Sequence, residues 1–453
     1  MSPHDTALEQ NEYRLVLVKS GSDAIWAERR GHDLYLPRIV ISRWTRPAEQ
    51  LQEGVEAAWH LRTIVLDFLP IRKDSLPLAV AEIISSELPY GLTAASIDEL
   101  SDAEVDVEER SVVYEILAGN PGVRGPFSRV GWIQEAKEWL RTEVGRTDAF
   151  TGDICQFNAS GTFALVRFGT REVPAYWLKA TGKPNEREFT ITATLSKYFP
   201  RFLPPLVATR NDWNAWVTED AGQPLNECLT FPAIEEAVLA LTELQRQSAD
   251  CINTLIAAGC LDRRIPVLQS ELNNLFSYLE EAMGQQTTTK VPRLEPHQLR
   301  ELCRISHDAC SEMQDLGLPD TLAHLDINPG NVLFDGSRCV FIDWAEACIG
   351  NPLLTFEQLR THVERSGEPA SSSVSHLRAI YARSWLDRIS ESNIDRAFAL
   401  APLLAIATYL YGRGDWLDTP RRTAPALHSY ARSLARHMYR AAQGAGLTEA
   451  SSH

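Results

Sequence analysis

Two short apolar runs, NVLF at 331–334 and CVFI at 339–342, flank the tetrapeptide Asp335-Gly336-Ser337-Arg338. An Asp-Gly step between such runs is a strong short-range signal for a β-hairpin. A hairpin returns the chain to its starting point, so it sets Asp343, after the second strand, beside Asn331, at the start of the first. A carboxylate and an amide oxygen then converge, and both are hard donors of the kind Mg²⁺ takes. Asp326 lies five residues before Asn331 on a stretch pinned by Pro329 and Gly330. It supplies a second carboxylate within reach of the same point. The chain must therefore fold so that two acids and one amide meet at the end of a small antiparallel ribbon.

Phosphoryl transfer needs such a set. Its transition state spreads negative charge over equatorial oxygens, so catalysis is mostly positioning and charge neutralisation. The pattern His324-x-Asp326-x-x-x-x-Asn331, followed by Ile342-Asp343-Trp344, resembles the catalytic and metal motifs of the aminoglycoside phosphotransferase and choline kinase family. That resemblance implies a protein-kinase-like fold. It implies Asp326 as the catalytic base, Asn331 and Asp343 as Mg²⁺ ligands, and His324 as a support of the loop. The sequence departs from the family downstream. Gly350-Asn351-Pro352 stands for the usual Gly-Asp-Pro, and Thr355 and Phe356 occupy the place of a later acid.

A kinase-like fold also requires a small sheet upstream, with a lysine on its third strand and a glutamate on the following helix. Lys179 lies in the apolar stretch YWLKA, and Glu188 follows nine residues later. Glu186 is the rival partner; Glu188 keeps the family's spacing to Leu195. As a pair, Lys179 and Glu188 would hold the α- and β-phosphates of a nucleotide. The loop Asn158 to Thr162, with Ser160 and Gly161 at its bend, resembles the nucleotide loop of the family. The segment Val217 to Gly222 resembles its interlobe hinge, where backbone groups around Glu219 and Ala221 would meet a purine edge.

By texture the chain divides into three parts: 1–147, 148–225 and 226–445. The expected class is α+β, a bilobal protein-kinase-like fold with a small antiparallel-sheet N-lobe and a mostly helical C-lobe. A separate α+β domain precedes it. In that first part, strands are expected at 13–19 and 33–41 and helices at 49–69 and 128–144. The run LYLPRIV and the helix after it distantly resemble a Nudix hydrolase. Around Arg62 the metal-binding glutamates of that family are missing apart from Asp67, so the resemblance implies a degenerate, non-hydrolytic domain.

Sixty acidic against 44 basic side chains give a formal net charge of −16, which disfavours a general nucleic-acid binder. The eight cysteines form no CxxC pair and no zinc-spaced cluster, as expected of reduced thiols in the cytoplasm. The N-terminus lacks the basic-then-apolar pattern of a signal peptide. The apolar run 397–412 has 16 residues and contains Pro402; it is shorter than the ~20 residues of a membrane span and reads as a buried helix, with no membrane partner. The expected function is transfer of the γ-phosphoryl group of ATP, or of GTP, with Mg²⁺, to a hydroxyl of a small molecule. The absence of Asp-Phe-Gly and Ala-Pro-Glu motifs argues against a protein substrate. The alternative is a nucleotide-binding sensor with a kinase-like lobe.

Overall fold

The computed structural model describes residues 10–42, 46–69, 75–86, 89–119, 124–145, 150–170, 174–365, 371–412, 422 and 425–448. Asp415, Trp416 and Asp418, which the sequence leaves without a role, lie outside them. The chain forms two compact units, one of residues 1–189 and 205–220, the other of 190–204 and 221–453.

In the first unit, β1 (Gln10–Val18), β2 (Ile25–Arg30), β3 (Asp33–Tyr35), β4 (Arg38–Ser42), β5 (Thr63–Leu69), β6 (Leu78–Ile83) and β7 (Thr93–Ala95) form a seven-stranded sheet. Strands β1 and β6 pair in parallel, and the other pairs are antiparallel. Helices α1 (Pro47–Trp59), α2 (Val107–Leu117) and α3 (Trp132–Val144) accompany it. A second sheet, in the order β11-β12-β10-β9-β8, comprises β8 (Phe150–Ser160), β9 (Phe163–Thr170), β10 (Tyr176–Ala180), β11 (Leu206–Arg210) and β12 (Ala215–Glu219). It is antiparallel throughout. Helix α4 (Arg187–Tyr198) follows its third strand, which is the small-lobe arrangement expected of a kinase-like fold.

Residues 15–18 of β1 are all fully buried, because the first sheet is covered on both faces. Leu15 and Leu17 pack with Ala48, Leu51 and Val55 of α1. Val16 and Val18 point the other way, as the period of two demands. They share a core with Trp132, Ala136 and Leu140 of α3 and with Ala164, Val166, Leu178 and Val217 of the second sheet. The boundary expected at 147/148 therefore separates no cores: residues on both sides of it build one cluster. Gln156 of β8 adds a polar tie. Its side chain accepts from the Val65 amide and donates to the Val65 carbonyl, both at 2.8 Å.

The helix expected at 49–69 is corrected. α1 ends at Trp59 and is capped by His60, which takes the left-handed conformation at φ 55°, and residues 63–69 are strand β5. The run TIVLDFL is β-branched at its start and nearly all buried, and a continuous apolar run does not by itself separate a buried strand from a helix. The helix that the Nudix resemblance requires around Arg62 is thus absent. Asp67 sits on β5 and accepts from Arg124 at 2.6 Å and from Ser128 at 3.1 Å.

The second unit is mainly helical. Strands β13 (Gln223–Pro224), β14 (Leu261–Asp262), β15 (Thr321–His324), β16 (Val332–Phe334), β17 (Cys339–Phe341) and β18 (Ala347–Gly350) form two small three-stranded sheets. Around them lie α5 (Phe231–Ser248), α6 (Ile252–Ala257), α7 (Ile265–Gly284), α8 (Pro296–Asp315), α9 (Pro352–Arg365), α10 (Ser371–Arg383), α11 (Glu391–Gly412) and α12 (Pro425–Gly444). α11 is longer than its apolar run suggests. At 22 residues it is long and apolar enough to cross a membrane, yet Leu400, Leu403, Leu404 and Leu410 are all fully buried in the core of the unit.

Candidate active site

The hairpin segment is built as its turn chemistry predicts. β16 and β17 pair Val332 with Phe341, Leu333 with Val340 and Phe334 with Cys339. The Asp335 carboxylate closes the turn by accepting from the Ser337 and Arg338 amides, each at 2.9 Å. Burial pushes this carboxyl up, but those amides with the Ser337 hydroxyl and the Arg338 side chain outweigh it and hold the pKa at about 2. On the flank, β13 pairs with β16. At Gly222, with φ 118°, a Cβ would stand 2.3 Å from the Phe334 carbonyl oxygen; only glycine permits this approach.

Asp326, Asn331 and the start of the Asp343 turn are tied together by short bonds. The Ile342 amide donates to the Asn331 carbonyl at 3.0 Å, which brings Asp343 next to Asn331 in the chain's path. The Asn331 amide nitrogen donates to the Asp326 carbonyl at 2.9 Å and lies 3.4 Å from the Asp326 carboxylate. Asn328 braces the same turn by accepting from the Gly330 amide and donating to the Asp326 carbonyl, both at 2.9 Å.

His324 joins the two ends of this arrangement. It is 1% exposed and packs on the Trp344 ring, centroids 4.9 Å apart. Its Nε2 lies 3.0 Å from the Ile342 carbonyl oxygen, which can only accept, so Nε2 carries the proton. Nδ1 is then an acceptor, and the Asp326 amide donates to it at 3.3 Å. One neutral imidazole thus spaces the backbone of Asp326 from that of Ile342-Asp343. Asp343 itself adopts the left-handed conformation, φ 64° and ψ 60°, which is uncommon outside glycine and found most readily in Asn and Asp. Such held outliers concentrate at functional sites.

In the first unit, Lys179 of β10 donates to the Glu188 carboxylate at 2.6 Å, and Glu188 is 1% exposed. Glu186, the rival, is exposed and precedes the helix. Its carbonyl accepts from the Asn214 side chain. The chain passes from the first unit to the second between Asp220 and Ala221, within the segment read as a hinge. The Glu219 amide is engaged by the Pro205 carbonyl at 3.0 Å, so that donor is not open to a purine.

Gly161 sits in surroundings the sequence did not reveal. It is buried, its carbonyl accepts from the Phe127 amide at 3.1 Å, and a Cβ here would fall 1.6 Å from the Arg124 carbonyl oxygen. Phe127 is locked edge-on against Trp132 and Trp213, at 5.1 and 5.4 Å. Residues 124–128 thus cover the β8–β9 turn, and Ser160 is half-buried beside it. Gly161→Ala should therefore destabilise the protein by about 1–3 kcal/mol or more through overpacking. Chemical denaturation measures this. An unchanged midpoint would mean that the cover lifts off freely.

One further position was missed. His362, on α9, has no motif to signal it. Burial among its neighbours and Arg365 lower its pKa, while the Asp326 carboxylate raises it, which places it within electrostatic reach of that acid. Asn351, where an acid is usual, accepts from the Leu353 amide at 3.0 Å and so serves as the cap of α9, a task a neutral amide performs as well as a carboxylate. Thr355 and Phe356 are buried, and Phe356 stacks on Tyr381 at 4.2 Å.

The sequence pattern of the phosphotransferase enzyme family matches residues 215–356. The match includes the whole stretch from His324 to Asp343 and bears out the resemblance read there. No curated protein matches the chain in sequence. Among solved structures, a choline kinase from Cryptosporidium parvum is similar at 13% identity and a TM-score of 0.46, over 68% of this chain and 96% of its own. A macrolide 2'-phosphotransferase from Brachybacterium faecium has 14% identity and a TM-score of 0.44, over 64% and 97%. An aminoglycoside 2'-phosphotransferase solved with GDP has 16% identity and a TM-score of 0.44, over 69% and 99%.

Proposed function

We propose that this protein transfers the γ-phosphoryl group of ATP or GTP to a hydroxyl of a small molecule such as an aminoglycoside, an amino alcohol or a sugar. The observation that carries the reading is the set of bonds by which one buried histidine and one asparagine hold Asp326 at a fixed offset from Asp343. In this reading the Asp326 carboxylate accepts the proton of the attacking hydroxyl. His324 sets the height of the loop, and Asn331 braces it through its NH₂. Lys179, oriented by Glu188, offers its ammonium to the nucleotide phosphates.

The donors suit a magnesium ion that arrives with its nucleotide. Among the described residues no three His, Cys, Asp or Glu side chains gather to hold a metal alone. An Asn331 oxygen and the Asp343 carboxylate are a partial set, and Mg²⁺ characteristically takes one or two carboxylates and completes its shell with water and substrate phosphates. When bound, the ion would neutralise charge on the phosphates. The eight cysteines are all free thiols, and a cytoplasmic location goes with that state.

A second reading, a nucleotide-dependent sensor of weak activity, draws on one feature: residues 124–128 already cover the turn that would lie over a nucleotide. Measuring nucleotide turnover with Mg²⁺ against a panel of aminoglycosides, amino alcohols and sugars separates the two. Acceptor-dependent turnover supports the phosphotransferase. Tight nucleotide binding without turnover on any acceptor would favour the sensor.

A further inference from the structure

Along β10, Tyr176, Leu178 and Ala180 are buried in the core that the second sheet shares with the first. By the period of two, Trp177 and Lys179 stand together on the opposite face, and both are half-buried. Trp177 pairs with Arg167 of β9 and Thr218 of β12. Its indole lies against the Phe157 ring, centroids 5.0 Å apart and planes inclined by 34°. The Arg46 guanidinium sits over Phe157 at 4.8 Å. Three flat groups thus stand in a row, and the indole is the one that shares the strand face with Lys179.

The register places this ring where a base would fall. Tyr176 pairs with Glu219, so Trp177 is one position from the hinge segment and two from the lysine. Three residues at about 3.3 Å each give roughly 10 Å between the lysine and that segment, and the indole stands within the span. A nucleotide held by its phosphates at Lys179, with its base toward Glu219, lies across it.

The bonds of the hinge segment limit how that base is read. The Glu219 amide donates to the Pro205 carbonyl at 3.0 Å and the Asp220 amide to the Ala175 carbonyl at 2.8 Å. Both donors are spent inside the first unit. Strong rejection of a near-isostere requires site groups committed to the ligand's own polar edge. A ring plane makes no such distinction, because every base has a π-face.

Resting on the nucleotide-binding part of the reading above, we propose that the nucleobase stacks on the Trp177 indole, and that this stack, in place of edge recognition, makes ATP and GTP near-equal ligands.

The test is titration calorimetry of the full chain with Mg²⁺ and ATP, GTP or inorganic tripolyphosphate, which has no base. ATP and GTP should bind within about threefold of each other, as a stack blind to the base edge requires. Trp177→Leu should weaken both by about 5–150-fold, the loss of one base–aromatic stack, while tripolyphosphate binds as before. Trp177→Phe keeps a smaller ring and should retain most of the affinity. Melting curves check that the variants fold. A readout on the wild type alone is the fluorescence of 2-aminopurine riboside triphosphate, which should be quenched on binding as the base stacks. ATP and GTP bound at wild-type affinity by Trp177→Leu, or a 2-aminopurine nucleotide that binds without quenching, would overturn the stack and leave the phosphotransferase reading in place. A wild-type preference between ATP and GTP well beyond tenfold would overturn the near-equality. If the wild type binds none of the three, the nucleotide reading falls and the stack with it.

Discussion

Asp326→Asn should leave the protein folded and its nucleotide binding intact while lowering kcat with the best acceptor by about 10²–10⁴-fold, the range lost with a general base. The substitution keeps the shape of the side chain. The bonds that set the loop go to the Asp326 backbone: its carbonyl accepts from Asn331 and Asn328, and its amide donates to His324. None of these needs the carboxylate. The expected result is therefore a loss in kcat with little change in Tm or in the KM for nucleotide, read by steady-state kinetics beside a melting curve. Turnover that persists near the original rate would remove the base, and with it the main role assigned to this loop. A fall in kcat accompanied by a large fall in Tm would instead mark Asp326 as structural.

This separation is available because so much of the loop is local. The hairpin could be read from the sequence since Asp335-Gly336 names its own turn and the strands on either side are short and apolar. His324, Asn328 and Asn331 reach partners at most 18 residues away, within the span over which spacing is informative. The first unit was harder to read for the opposite reason. Residues 63–69 pair with β6 and are held through Gln156, 91 residues distant. No local period distinguishes such a strand from a buried helix. The covering of Gly161 by 124–128 is also non-local, and the lone glycine there reads as an ordinary bend. The common core of residues 1–145 and the second sheet could not be foreseen from texture, because a strand buried on both faces shows only that it is buried. Glu188 over Glu186 was a choice of spacing; the helix start at Arg187, which leaves Glu186 outside the helix and Glu188 within it, is the geometric difference between them.

Lys179→Met should cost the first unit about 3–5 kcal/mol, the range for breaking a buried ion pair by removing one partner. The register fixes why. On β10, Leu178 and Ala180 turn into the core, fully buried, while Lys179 stands between Leu165 and Trp216 on the opposite face. Its ammonium lies 2.6 Å from Glu188 and 5.7 Å from the centre of the Trp216 ring. The lysine side chain is 17% exposed and the glutamate 1%, so the carboxylate carries the greater desolvation penalty once the ammonium is gone. Lys179→Met with Glu188→Leu removes both charges and should recover at least half of the loss, since apolar replacements of a buried pair are often close to neutral. Calorimetric melting of the wild type, the two single variants and the double variant closes the cycle. Turnover should stay abolished in the double variant, because restored packing returns no ammonium for the phosphates. If Lys179→Met melts with the wild type, the pair does not hold the helix start. If the double variant regains turnover along with stability, Lys179 serves the fold alone and the phosphates are held by something else.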